Sequence, residues 1–147
     1  MRPAFASTLL AVACVVAMAP KAYSQTRQMA QVDSQLARVK RSLGARYFES
    51  RQVIMRSGAD STVRQEDLNP SRGTYVFAGA GDDSVTALKL RLYDRSGAIV
   101  AGDTSGTRTP RFEFTVPQPG VWYRLEMMLD GCRRSLCYFG VQVYQRR

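Results

Sequence analysis

The sequence predicts a mainly β protein, an antiparallel sandwich or barrel preceded by an amphipathic α-helix. Three observations carry that expectation. Short stretches of alternating apolar and polar residues, set off by turn signals, recur at about ten-residue spacing from Gly73 to Tyr144. The clearest is Ala87-Leu88-Lys89-Leu90-Arg91-Leu92-Tyr93-Asp94-Arg95-Ser96-Gly97, a half-buried strand running into an acidic-Gly turn. Upstream of these, from Arg27 to Tyr47, apolar residues recur at three- and four-residue steps. A length of 147 residues suits one domain with a real core.

The amino terminus reads as an export signal. Met1-Arg2 supplies a positive start, Ala4 to Ala19 is apolar or small, and Pro20 breaks the run before Ala22-Tyr23-Ser24. Residues 1–24 are therefore expected to be a signal peptide cleaved after Ser24; the rival is a retained anchor, which the short apolar core disfavours. Cys14 follows Leu10-Ala11-Val12-Ala13, a poor lipobox with Ala11 where a larger aliphatic is usual, so lipidation of Cys14 is not expected. The formal charge of +9 falls to +7 when Arg2 and Lys21 leave with the signal. A basic balance permits binding to anionic lipid, envelope polymer or nucleic acid without selecting among them. Histidine is absent, which removes the usual general base and the commonest metal ligand.

The mature chain then keeps Cys132 and Cys137. An even count in an oxidising compartment reads as a disulfide. Closing so short a loop contributes about 2 kcal/mol in the chain-entropy picture. The spacing is wrong for a Cys-x-x-Cys redox pair, and two cysteines without histidine make no zinc site.

Residues 25–47 are the expected helix, with Met29, Val32, Leu36, Val39, Leu43 and Tyr47 on one face and Arg38, Lys40 and Arg41 off it. Three placements of that stripe stay open: packing on the sandwich, pairing with a second copy, or lying on an anionic surface. The β-sandwich domain is expected over 48–147. Val53-Ile54-Met55 favours a first strand, and Ser61 to Leu68 a polar edge strand. Thr74 to Ala78 follows, with Tyr75 and Phe77 sharing a face, and then Gly79-Ala80-Gly81-Asp82-Asp83 as a loop. Ala98 to Ala101 is a short strand, and Phe112, Phe114 and Val116 mark the next. Val121 to Leu129 and Phe139 to Val143 supply the last two inward faces. Trp122 falls on the outward register, where it either caps an edge or belongs to a binding surface.

Gly73-x-Tyr75-x-Phe77, Leu88-x-Leu90-x-Leu92-Tyr93-Asp94-x-x-Gly97 and Phe112-x-Phe114-x-Val116-Pro117-x-x-Gly120 together resemble the bacterial pre-peptidase carboxy-terminal domain. The resemblance spans residues 61 to 144, about half the chain, and its motifs are structural. The chain also looks like small exported bacterial proteins that join an amino-terminal helix to this sandwich and a late cysteine pair. The resemblance implies a jelly-roll-like antiparallel β-sandwich acting as an export-associated or polymer-binding accessory domain. Some relatives hold calcium with acidic loop residues; the counterparts here would be Asp82, Asp83, Asp94 and Asp103. Lys89 and Arg91 stand at alternate strand positions where such proteins often carry acids, which weighs against a metal.

The expectation that follows is a non-catalytic periplasmic or secreted protein, without cofactor. It would bind a cell-envelope polymer, an anionic membrane surface or another exported protein. Trp122, Arg38, Lys40 and Arg41 are the binding candidates. The alternative is a carboxylate-dependent hydrolase of envelope polymers, with Glu113 and Glu126 facing each other across neighbouring strands. The competing view pairs these two with Arg111 or Arg124 on the surface. Nucleic acid is not the expected partner of an exported protein whose aromatic residues mostly face inward.

Overall fold

The computed structural model describes residues 19–50 and 54–147. Of the expected signal segment, residues 1–18, Cys14 among them, lie outside the described part, as does Val53 of the expected first strand. Helix α1 (Ala19–Leu43) precedes nine strands: β1 (Tyr47–Glu49), β2 (Ile54–Gly58), β3 (Thr62–Leu68), β4 (Gly73–Gly81), β5 (Val85–Tyr93), β6 (Ile99–Asp103), β7 (Arg111–Val116), β8 (Tyr123–Cys132) and β9 (Cys137–Arg146). They form two antiparallel sheets. One has the order β1-β9-β4-β7, with β2 also paired to β9; the other has the order β3-β8-β5-β6. The protein is an antiparallel β-sandwich led by a helix, as expected.

Strand periodicity builds the core. Leu88, Leu90 and Leu92 of β5 meet Leu125, Met127 and Leu129 of β8 in one sheet, and both rows face Phe77, Phe139, Val141 and Val143 of the other. Phe77 stacks on Phe112 with ring centroids 4.8 Å apart. The polar strand β3 lies at a sheet edge, where its unpaired side faces solvent.

The outward face of β4 and β9 is covered by α1. Val32 and Leu36 pack with Val76, Ala78, Ala80 and Tyr144, and Val39 and Leu43 extend the contact. Of the three placements open to the helix stripe, it takes the one on its own sandwich. Two details correct the helical reading. Met29 is 40% exposed, and Gln28, one turn before Val32 and Leu36 on the same row, is buried instead. The helix also spans Ala19–Leu43 rather than residues 25–47, so it begins within the expected signal segment and ends a turn early. Gly44 takes φ 70°, a left-handed conformation that stops the helix, and Tyr47 already belongs to β1.

Gly79-Ala80-Gly81 is likewise strand, where the sequence reads as loop. A Cβ on Gly79 would stand 2.9 Å from Pro110 Cγ, and one on Gly81 would stand 2.5 Å from Val85 Cβ. These glycines admit close neighbours within an ordered strand, which is the other use of glycine in a sheet.

Cys132 and Cys137 form a disulfide across the β8–β9 turn, with Cα atoms 6.0 Å apart. Replacing both by serine is expected to lower stability by about 2 kcal/mol. A fall in the urea midpoint with an unchanged slope would show this; a midpoint equal to wild type would mean the bridge does not stabilise the fold.

Candidate functional site

Helix α1 does more than cover the sheet. Arg27, Gln31, Ser34, Gln35 and Arg38 recur at three- and four-residue steps along one side of the buried stripe. They form one wall of a groove of about 700 Å³, and Asp83, Arg108 and Thr109 form the other. Two contacts fix the helix wall to the sandwich. Gln31 exchanges hydrogen bonds with Asp83, its Nε2 donating to Oδ2 and its Oε1 accepting from the Asp83 amide, both at 3.3 Å. Gln35 Nε2 donates to the Gly81 carbonyl at 2.7 Å, which turns its Oε1 to a buried position with no donor among the described residues. Arg27, Arg38 and Arg108 are exposed, and none makes an ion pair among the described residues.

Of the basic residues singled out in the sequence, only Arg38 lines this groove. Lys40 is engaged by Glu49 at 2.6 Å, and Arg41 is exposed in the last helical turn. Arg27, Gln31 and Gln35 were readable as a second row beside the apolar stripe. Arg108 was not, because it lies in a loop far along the chain.

The four aspartates are not brought together. Asp82 is fully buried, and its carboxylate accepts from the amides of Ser84 at 2.8 Å, Val85 at 3.2 Å and Tyr138 at 2.9 Å. Asp83 bonds Gln31. Asp94 accepts from Ser96 and Ala98 in the β5–β6 turn, and the Ser96 hydroxyl leads the interactions that hold its carboxyl below the ordinary range. Asp103 accepts from Ser105 and the Arg111 amide. Among the described residues, no three acidic or cysteine side chains converge on a point where a metal ion could sit.

The paired-carboxylate reading is overturned by topology. Glu113 lies on β7 opposite Val76, whereas Glu126 lies on β8 in the other sheet. Neither pairs with Arg111 or Arg124. Glu113 accepts from Tyr47 at 2.8 Å, a bond that raises the Tyr47 hydroxyl above its ordinary value. Glu126 is nearly buried, accepting from Gln65, Arg91 and Tyr93 at 3.2, 3.3 and 3.0 Å. Sequence alternation gives the side of a strand but not the sheet that strand joins.

Trp122 is 52% exposed, as its outward register implied. It lines a second, open cleft of about 490 Å³ with Asp67, Asp94, Arg95 and Arg124.

No family model and no curated protein matches the chain. Solved structures do. The Yersinia pseudotuberculosis-derived mitogen is similar with a TM-score of 0.52 at 6% identity, over 68% of this chain and 88% of that one. That likeness is one of fold. The pre-peptidase carboxy-terminal domain of a Bacillus anthracis collagenase is also similar, with a TM-score of 0.46 at 14% identity, over 63% of this chain and 87% of that one. A periplasmic inhibitor of g-type lysozyme from Aeromonas hydrophila gives 0.44 at 10% identity, over 71% and 89%.

Proposed function

We propose that this protein is an exported, non-catalytic β-sandwich that binds an anionic component of the cell envelope in the groove beside α1. The observation that carries the reading is the set of three exposed guanidiniums, Arg27, Arg38 and Arg108, lining one groove without an ion-pair partner among the described residues. A guanidinium presents a planar fork of donors that matches a carboxylate or phosphate. Surface arginines are often simply solvated. Here two elements distant in sequence converge their charges on one concavity, which concentrates the field. Export is supported by the apolar amino-terminal segment and by the disulfide, which persists in oxidising compartments. The separation of Glu113 from Glu126 supports the non-catalytic reading.

Carboxylates on peptidoglycan stems and phosphates on lipid headgroups share the required chemistry. Co-sedimentation with purified peptidoglycan and flotation with phosphatidylglycerol vesicles separate the two sources. Binding to one of them is expected at low salt. It should weaken as the screening length falls from about 30 Å at 0.01 M to about 8 Å at 0.15 M. Arg27→Gln, Arg38→Gln and Arg108→Gln together should lower affinity by at least about tenfold. Wild-type protein that associates with neither, or a triple variant that binds as well as wild type, would refute the proposal.

A further inference from the structure

The cleft at Trp122 has a different chemistry, and it lies away from the groove. Asp83 of the groove precedes β5, whereas Asp94 of the cleft follows it, so the length of that strand, roughly 30 Å, separates them. Its charges balance, with two carboxylates, Asp67 and Asp94, and two guanidiniums, Arg95 and Arg124. A cleft so balanced draws in neither an anion nor a cation. It offers hydrogen-bond donors and acceptors in the same cleft as an exposed indole.

The cleft is also held in shape. The Arg124 guanidinium sits 5.4 Å from the Tyr93 ring centroid. The Tyr93 hydroxyl is in turn fixed by Glu126 at 3.0 Å. Asp94 Oδ1 accepts from the Ser96 amide at 2.9 Å, the Ser96 hydroxyl at 2.6 Å and the Ala98 amide at 3.0 Å, while no hydrogen bond from the described residues occupies Oδ2. Arg124 and Asp94 are thus already ordered, which lowers the entropic cost of capture.

From this we infer that the cleft is a binding site for a neutral saccharide, with one pyranose ring lying on Trp122. A pyranose has an apolar C–H face that suits an indole and a rim of hydroxyls that both donate and accept. Asp94 Oδ2 is the acceptor placed for a hydroxyl, and Arg95 and Arg124 are the donors. The inference does not depend on the arginine groove.

The sequence contains one tryptophan, so intrinsic tryptophan fluorescence of the native protein reports this site alone. Chitotetraose, cellotetraose and maltotetraose are the probes. At least one should produce a saturable blue shift at concentrations up to about 10 mM, the range of a weak single-ring contact. By calorimetry, Trp122→Ala and Arg95→Ala should each weaken that sugar by about tenfold, and far-UV circular dichroism should stay unchanged. The Arg27, Arg38 and Arg108 substitutions should leave it unaffected. No saturable shift with any of the three sugars overturns the proposal, as does undiminished affinity in the folded Trp122→Ala protein.

Discussion

Replacing Asp82 by alanine is expected to destabilise the protein by about 3–5 kcal/mol, a large share of the stability of a domain this size. Asp82 follows the last residue of β4 and is fully buried. Its two oxygens take the amides of Ser84, just before β5, of Val85, which opens it, and of Tyr138, at the start of β9. Its own amide donates to the Tyr138 carbonyl at 2.8 Å. One side chain thus joins three strands at one end of the sandwich. Alanine would leave the Ser84 and Tyr138 amides without an acceptor and the Val85 amide with only the backbone carbonyl of residue 82, and hydrogen bonds to a charged acceptor contribute about 1.5–3 kcal/mol each without being additive. Asparagine distinguishes this account from simple loss of volume. Its oxygen can keep the Ser84 and Val85 bonds, but its amide group then opposes the Tyr138 N–H, so about 1–3 kcal/mol should still be lost. Chemical denaturation of the three proteins measures both. Asn at wild-type stability would mean that the carboxylate is not the organising acceptor.

That role was hidden by the same features that suggested a loop. Asp82-Asp83 after Gly79-Ala80-Gly81 has the composition of a turn, and local composition cannot show that Pro110 and Val85 pack against the glycines. What was legible is what has a short period. Alternation placed Leu88, Leu90, Leu92, Leu125, Met127 and Leu129 in the core, and the helical stripe placed Val32 and Leu36 under cover. Relations between distant segments were not legible. Glu113 and Glu126 look alike in the sequence and belong to different sheets, and Arg108 joins Arg27 and Arg38 only because a loop folds back beside the helix. The disulfide was accessible because its loop is short and its partners are consecutive cysteines.

The second large effect is expected from Leu36→Asp. Leu36 is 3% exposed between α1 and the β4–β9 face, and burying a carboxylate there without a partner costs more than the helix gains by docking. A loss of about 4 kcal/mol or more is expected, and it should come chiefly from undocking of α1, since the core between the sheets lacks this residue. Tyr144 supplies an independent readout. It is 1% exposed, and its hydroxyl donates to the Leu36 carbonyl at 3.0 Å. Burial pushes its pKa up to about 12 from the ordinary 10.0. The native state therefore holds this proton more tightly than the unfolded state. The associated stability is complete below pH 10 and is lost as pH rises through about 12. In the wild-type protein, tyrosinate absorbance should show a late step that Tyr144→Phe abolishes. In Leu36→Asp, with the helix released and Tyr144 open to water, that step should return toward pH 10. A late step that persists in the aspartate variant would mean that the helix remains seated, and that Leu36 does not hold it there.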